Sequence, residues 1–287
     1  MALTLVMGAT GTVGREVVRQ LASRGGKVRA FARRQERAEA ILGPGVDVAL
    51  GDLTDPRTIE SAMDGVERLF LLAPSDPRQA EWEARVAQAA RRAGVGYAVK
   101  LSALNAAPDS PVDDLRWHWE GERALAESGL RHTVIRCNFF TQFFLIFAQT
   151  VRAESVFRAP VSAGRVSPVD ARDIAASAAA LLAADAPPDD RLYELTGPEA
   201  LGYPDVAQRL SAAVGRRIEY VTVSPEASWR ELLAAGHPEF ESRILLQLFE
   251  QIELGRFSRV TSSVESLTGR APVPFDQFAR DYREAFA

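Results

Sequence analysis

The stretch Gly8-Ala9-Thr10-Gly11-Thr12-Val13-Gly14 decides the fold of this 287-residue chain. It follows the apolar run Leu3–Met7 and leads into a segment, Val13–Ser23, whose apolar residues recur with helical periodicity. The pattern predicts a strand, a tight glycine turn and a helix in direct succession. Units of this kind build parallel sheets that are covered by helices.

The same alternation continues as far as about residue 137. The predicted strands are Leu3–Met7, Lys27–Phe31, Val46–Leu50, Arg68–Leu72, Tyr97–Leu101 and His132–Arg136. The helices predicted between them are Val13–Ser23, Glu36–Leu42, Pro56–Met63, Ala80–Ala93 and Val112–Ser128. Because the strand runs are apolar almost throughout, we expect them to be buried on both faces. The predicted class is α/β, a doubly wound Rossmann-type parallel sheet with strand order 3-2-1-4-5-6 plus a seventh strand.

Helices dominate the chain after residue 137, with one return to the sheet. Asp170 and Asp173 are predicted to cap an alanine-rich helix that reaches Ala184, and Pro187-Pro188-Asp189-Asp190 to break it. The elements predicted beyond are a strand, Leu192–Leu195, and helices Tyr203–Val214, Ala227–Ala235, Phe240–Leu254 and Phe275–Phe286. We therefore assign 1–136 and 166–196 to the sheet domain, and 137–165 and 197–287 to a smaller, mostly helical C-terminal substrate domain.

Composition excludes several classes of protein. With 47% hydrophobic and 25% charged residues the chain is typical of a folded globular protein, not a disordered one. One cysteine excludes a disulfide framework, and three histidines without ligand spacing predict no metal site. A net charge of −4 without a basic tract argues against nucleic acid. No signal peptide or membrane-length apolar stretch is evident, so we expect a cytoplasmic protein that does not bind membranes.

The glycine stretch predicts a phosphate-binding turn. Gly8 permits the tight turn, Gly11 allows close approach of a pyrophosphate, and Gly14 lets the helix pack on the strand. The first helical N–H groups, from Thr12 and Val13 onward, then face the phosphates, with Thr10 beside them. The spacing is G-x-x-G-x-x-G, and the alternative is a tight turn without a ligand.

The end of the second predicted strand favours NADP(H) over NAD(H). It leads into Arg33 and carries no acid, whereas an NAD-preferring site usually has an Asp or Glu there. A guanidinium pairs with a 2′-phosphate, although the alternative is a solvated loop charge. Two later strand ends carry further predicted cofactor contacts, at Asp52 and Leu53 and at Ala73 and Pro74. Asp52 alternatively caps the helix that starts near Pro56.

Together, these residues resemble the NmrA-like branch of the atypical short-chain dehydrogenases/reductases. The resemblance rests on the stretches Gly8–Gly14, Gly51–Asp55, Leu101-Ser102, Glu122–Arg136, Asn138–Phe140, Val169–Asp173, Leu195–Glu199 and Gly255–Arg270. It implies an NADP-binding Rossmann domain followed by a small C-terminal substrate domain. Members include quinone reductases, triphenylmethane dye reductases, isoflavone-type reductases and non-catalytic sensors of the nicotinamide redox state.

Typical short-chain reductases use a Tyr-x-x-x-Lys pair on the helix after the fifth strand. The resemblance aligns Asp114 with the Tyr and His118 with the Lys, so the usual pair is absent. Asp114, His118 and Glu122 share one helical face, where we expect a carboxylate to raise the pKa of the imidazole and keep it protonated. His118 and Ser102 are the candidate catalytic residues. For His118 the alternative is a solvated helix face with an ion pair. For Ser102 the alternative is the cap of a local turn.

Aromatic residues are the candidates for binding substrate. Asn138, Phe139 and Phe140 leave the sixth strand, and Trp117 precedes His118. Their aromatic rings suit a flat apolar substrate. The alternatives are that they belong to the hydrophobic core or form a homodimer contact. The leading function is an NADPH-dependent reductase of a small aromatic, quinonoid or other electron-poor molecule, with secondary metabolism as one setting. The alternatives are an NADP(H) sensor that binds a partner protein and a nucleotide-sugar-type enzyme, although that group generally keeps Tyr-x-x-x-Lys.

Overall fold

The computed structural model describes residues 2–188 and 191–287. Its strands are β1 Leu3–Val6, β2 Lys27–Ala32, β3 Asp47–Leu50, β4 Arg68–Leu71, β5 Tyr97–Ala103, β6 His132–Cys137, β7 Val156–Ala159, β8 Arg165–Val166, β9 Arg191–Leu195, β10 Leu201–Gly202 and β11 Glu219–Thr222. Its α-helices up to residue 183 are α1 Thr12–Ser23, α2 Gln35–Leu42, α3 Pro56–Ala62, α4 Gln79–Arg92, α5 Asp113–Glu127, α6 Ala148–Glu154 and α7 Ala171–Ala183. The later ones are α8 Tyr203–Val214, α9 Pro225–Ala234, α10 Glu239–Glu253, α11 Ser263–Thr268, α12 Phe275–Asp281 and α13 Arg283–Phe286.

Seven strands form one sheet in the order β3-β2-β1-β4-β5-β6-β9, and every neighbouring pair is parallel. The predicted strand order and fold class are therefore confirmed. Parallel pairing brings the carboxyl ends of all seven strands to one edge of the sheet. The strand-to-helix turns predicted to hold the cofactor leave the sheet at this edge.

Two groups of helices cover this sheet. In one group α1 packs against α7, and in the other α4 packs against α3 and α5. Leu5, Leu69 and Ala98 of the strands join Val86 of α4 and Leu125 of α5 in a buried apolar cluster. Burial on both faces explains why the strand sequences are apolar almost without alternation. No helix in the two described ranges is long and apolar enough to cross a membrane.

The chain divides into two compact units. The first comprises 1–137, 171–195 and 263–270, and the second 138–170, 196–262 and 271–287. The segment 263–270 was assigned to the substrate part from sequence, but its helix α11 packs on α7. The side chain of Arg270 also lies 3.0 Å (Nη2 to Oδ1) from the buried carboxylate of Asp173.

The second unit holds two small sheets that the sequence analysis did not predict. Strand β7 pairs with β11 in parallel, and β8 pairs with β10 antiparallel. A 3-10 helix, Thr141–Phe147, follows the predicted substrate residues Phe139 and Phe140. Its aromatic residues belong to a larger cluster, in which Phe144 packs edge-on against Phe275 and lies tilted against Tyr203.

Two local predictions need correction, and a third falls partly outside the described residues. Asp173 lies inside the first turn of α7, so it does not precede that helix as a cap. The helix predicted over Phe275–Phe286 is two helices, α12 and α13, because Tyr282 leaves helical geometry with φ −106° and ψ 14°. The predicted break at Pro187-Pro188-Asp189-Asp190 falls partly outside the described residues, which omit 189 and 190.

Candidate functional site

The glycine turn brings the start of α1 against the end of β1. Gly8 has φ +65°, a left-handed conformation that favours glycine, and its carbonyl accepts the Gly11 N–H at 2.9 Å. A Cβ on Gly14 would lie 2.1 Å from the Gly8 carbonyl oxygen, so only glycine allows the helix to approach this closely. Both positions therefore hold the roles that the sequence predicted for them in the turn.

The amino end of α1 has the properties of an anion site. No side chain of the described residues caps this helix, and its first turn holds no acidic residue. Its first N–H groups and the positive end of its dipole are thus available to a phosphate. Gly11 and Thr12 are exposed at this end, whereas Val13 is buried beneath it. The turn therefore fits the pyrophosphate of a dinucleotide.

Arg33 and Asp52 follow the carboxyl ends of the neighbouring strands β2 and β3. Arg33 is exposed. The side-chain hydroxyl and backbone N–H of Thr54 donate to Asp52 Oδ1 at 2.7 and 2.8 Å. These bonds, with a smaller contribution from the Arg33 charge, hold the pKa of the Asp52 carboxyl below its ordinary value. Asp55, not Asp52, caps α3, so the alternative role of Asp52 is wrong.

The loop after β4 lies beside the glycine turn. A Cβ on Gly8 would come within 3.3 Å of the side chain of Leu72. The next residue, Ala73, is buried, and Pro74 is exposed. Ser75 then donates a hydrogen bond to Asp114 Oδ1 at 2.5 Å. This loop therefore connects the predicted phosphate site with the first turn of α5.

His118 lies one turn further along α5, between two polar side chains. Its Nε2 is 3.6 Å from Asp114 Oδ2, and its Nδ1 is 3.0 Å from the side-chain nitrogen of Gln79 on α4. Only 13% of the His118 side chain is exposed. The imidazole is therefore largely buried, with the Gln79 amide at one ring nitrogen and the Asp114 carboxylate near the other, rather than exposed on a solvated face.

Burial changes the expected charge of His118. Desolvation lowers the pKa of the imidazole below its ordinary value of 6.5 and outweighs the opposing effect of Asp114. Lys100 also lowers this pKa, whereas Glu83 and Glu122 raise it. The expectation that a neighbouring carboxylate keeps His118 protonated is therefore wrong, because burial favours the neutral imidazole.

Behind His118 lies an ion pair that the sequence analysis missed. Lys100 Nζ of β5 donates to Glu83 Oε2 of α4 at 2.6 Å, and neither side chain has any exposed surface. A Cβ on Gly121 of α5 would lie 1.8 Å from Glu83 Oε2, so the glycine provides the space for the carboxylate. The sequence signal was faint: Gln79 and Glu83 lie at helical spacing with the buried Trp82 and Val86.

Ser102 belongs to a second polar group on the same side of the sheet. Its hydroxyl donates to Glu122 Oε1, and Arg136 of β6 binds both oxygens of Glu122 at 2.8 and 2.6 Å. A substrate carbonyl would compete with this carboxylate for the Ser102 proton. The predicted catalytic role of Ser102 stays a prediction.

The predicted substrate residues lie in both units. Trp117 is half-buried on α5 in the first unit. In the second, the Asn138 amide donates to Ser167 Oγ at 2.7 Å and to the Phe257 carbonyl at 2.8 Å, and its oxygen accepts the Phe139 N–H. Phe139 and Phe140 keep partly exposed rings. Their contact with a substrate remains a prediction.

The fold and the glycine turn define a dinucleotide-binding protein of the Rossmann type. Comparison with known families agrees: residues 8–185, more than half of the chain, match a family described as NAD(P)H-binding. The chain belongs to this NAD(P)H-binding family, and the resemblance seen in the sequence is confirmed.

Two relatives are similar over almost the whole chain. The NAD(P)H azoreductase of Xenophilus azovorans is 37% identical over 284 residues, with 99% of each chain covered. The (4-alkanoyl-5-oxo-2,5-dihydrofuran-3-yl)methyl phosphate reductase of Streptomyces griseus is 37% identical over 286 residues, again with 99% of each covered. Among solved structures, the quinone oxidoreductase QOR2 of Escherichia coli complexed with NADPH superposes with a TM-score of 0.88 at 26% identity. That alignment covers 97% of this chain and 99% of the other.

Proposed function

We propose that this protein is an NADPH-dependent reductase that transfers a hydride to a small aromatic, quinonoid or otherwise electron-poor acceptor. The observation that carries the proposal is the loop after β4, which lies against the glycine turn at Leu72 and binds Asp114 through Ser75. It sets the Asp114–His118 pair beside the predicted cofactor edge. The full-length similarity to two reductases supports the same reaction class.

NADPH is the proposed cofactor because Arg33 is exposed at the end of β2, where the chain has arginine in place of the Asp or Glu that usually binds a ribose hydroxyl. A guanidinium makes paired hydrogen bonds to a phosphate and also stacks on a flat ring. Gly8, Gly11 and the first turn of α1 would hold the pyrophosphate. Asp52 and Leu53 would lie near the adenine, and Ala73 and Pro74 along the cofactor backbone.

The acceptor class follows from the side chains on α5. When bound, NADPH supplies a hydride to a neighbouring acceptor. The absence of the Tyr-x-x-x-Lys pair, with Asp114 and His118 at those positions, leaves no tyrosine to protonate a strongly basic alkoxide. A quinone or a cationic dye becomes a weakly basic or neutral product, so His118 and solvent suffice to provide the proton. Trp117, Asn138, Phe139 and Phe140 are the proposed contacts for a flat ring.

The test is oxidation of NADPH or NADH, followed by absorbance, with quinones, azo dyes, enones and cationic dyes as acceptors. We expect acceptor-dependent oxidation with a preference for NADPH. Arg33→Ala should weaken NADPH binding about 10- to 100-fold, because a hydrogen bond to a charged group contributes about 1.5–3 kcal/mol, and should leave NADH binding nearly unchanged. Arg24→Ala, an exposed arginine just after α1, is the matched control and should change neither.

Two outcomes would contradict the proposal. Equal losses of NADPH and NADH affinity in Arg33→Ala would remove the 2′-phosphate contact. Saturable NADPH binding without oxidation by any acceptor would instead support the NADP(H) sensor that binds a partner protein.

A further inference from the structure

Two buried oxygen atoms beside His118 have no hydrogen-bond donor among the described residues. They are Gln79 Oε1 and Glu83 Oε1, and both side chains are fully buried. The other oxygen of Glu83 binds Lys100. An acceptor buried without a donor loses its hydration and gains nothing in return. Two such atoms, both on α4, point to an arrangement that supplies each of them with a donor.

Rotation of the Gln79 amide by 180° provides both donors. The rotation exchanges the nitrogen and oxygen of the amide and moves little else. Gln79 and Glu83 are one turn apart on α4, and side chains at this spacing are neighbours on a helix surface. The rotated amide nitrogen would then be a donor for Glu83 Oε1. The amide oxygen takes the position 3.0 Å from His118 Nδ1, which must therefore carry a hydrogen.

We propose that Gln79 is a positioning residue that links the buried Glu83–Lys100 pair to His118 and holds its imidazole as the Nδ1–H tautomer. This inference rests on the proposed reductase function and identifies Nε2 as the nitrogen that exchanges protons. Nε2 faces Asp114, which binds Ser75 beside the loop of the predicted cofactor site.

The role of His118 in the reaction follows from this arrangement. After the hydride reaches a neutral acceptor such as a quinone, the reduced acceptor is an anion that requires one proton. The N–H bond at Nε2 of a transiently protonated His118 breaks, the acceptor anion takes the proton, and solvent returns one to Nε2. Gln79 keeps Nδ1–H bonded throughout, so the ring presents the same nitrogen in each cycle.

The tautomer can be measured without any reaction. In the full-length protein labelled with nitrogen-15 histidine, at about pH 8, above the ordinary histidine pKa of about 6.5, two-bond proton–nitrogen spectra distinguish the two neutral forms. The chain has three histidines, and His132→Gln and His237→Gln assign the other two. We expect the His118 Nδ1 to resonate as a protonated nitrogen and Nε2 as an unprotonated one. The reverse pattern would overturn the proposal, whatever the activity.

Substitution of Gln79 tests directly whether this residue sets the tautomer of His118. Gln79→Met keeps the length of the side chain and removes both its donor and its acceptor. We expect His118 to lose its preference for Nδ1–H and kcat to fall about tenfold, within the contribution of a general acid, while the KM for NADPH stays unchanged. Gln88→Met, on the exposed side of α4, should change none of these.

The two proposals fail in different ways. An unchanged Nδ1–H pattern in Gln79→Met would show that Gln79 does not set the tautomer. Absence of NADPH oxidation in the unmodified protein would overturn the reductase function, yet the tautomer measurement would still decide the role of Gln79. If Gln79→Met does not fold, the spectrum of the unmodified protein alone decides.

Discussion

Gly121 occupies the point where α5 crosses the buried Glu83–Lys100 pair, so Gly121→Ala tests how much this pair matters. The added Cβ would lie 1.8 Å from Glu83 Oε2, 3.0 Å from Glu83 Cδ and 3.3 Å from Lys100 Cε. The first distance is far below contact, so the carboxylate must move. Because Glu83 and Lys100 have no exposed surface, the displaced charges have no water to replace their partner.

Two effects of opposite sign determine how much Gly121→Ala changes the free energy of unfolding. Alanine in the middle of a helix is favoured over glycine by about 1 kcal/mol. Breaking a buried ion pair costs about 3–5 kcal/mol, because an uncompensated charge remains inside. The free energy of unfolding should therefore fall by about 2–4 kcal/mol, although helix propensity alone predicts a gain.

Urea unfolding of the unmodified protein and Gly121→Ala, followed by circular dichroism, measures this difference. Gly96→Ala is the matched control, because a Cβ there meets its nearest atom at an ordinary 3.6 Å, and we expect it to change stability by less than about 1 kcal/mol. Equal or greater stability of Gly121→Ala would refute the argument that the glycine makes room for the buried pair.

Two further predictions concern the turn and the histidine. Gly14→Ala should raise the Kd for NADPH at least about tenfold in a fluorescence titration, because its Cβ would lie 2.1 Å from the Gly8 carbonyl oxygen and push α1 off the turn, whereas Gly96→Ala should bind normally. An unchanged Kd would remove the turn from the site. The depressed pKa of His118 means that the unfolded chain takes up this proton first as the pH falls. The stability due to the neutral imidazole is thus complete above about pH 6.5 and is lost below it. In urea unfolding at several pH values His118→Gln should lack this loss, His237→Gln should keep it, and identical pH profiles for the two variants would contradict burial as the cause.

The sheet could be predicted closely from the sequence, because its strands carry a local signal. Apolar runs in the sequence indicated the bounds of β1 to β6, six of the seven strands, to within two residues. They indicated the bounds of the seventh strand, β9, to within one residue. The small sheets of the second unit could not be predicted in the same way. Strands β8 and β10 have two residues each, too few for a period, and they exist only because they pair with each other.

The parts of the candidate site that depend on the local backbone could be predicted from the sequence. The parts that depend on which side chains pack together could not. The glycine turn and Arg33 follow from positions along the chain. Glu83 lies among charged residues of α4, and only the contact with Lys100 shows that it is buried. The predicted direction of the His118 pKa shift was wrong for the same reason. The sequence shows the nearby Asp114 but not the loss of water around the ring.

The first unit is assembled from three separated stretches of chain, and this has a consequence for synthesis on the ribosome. Residues 1–137 contain six of the seven strands, but the edge strand β9 and helix α7 belong to 171–195. When residue 137 leaves the exit tunnel, the edge of β6 that will pair with β9 is still open, and α1 lacks its packing partner α7. Because β9 begins only at Arg191, the nascent sheet keeps an open edge while residues 138–190 are made, a period in which a chaperone or a neighbouring nascent chain can bind it.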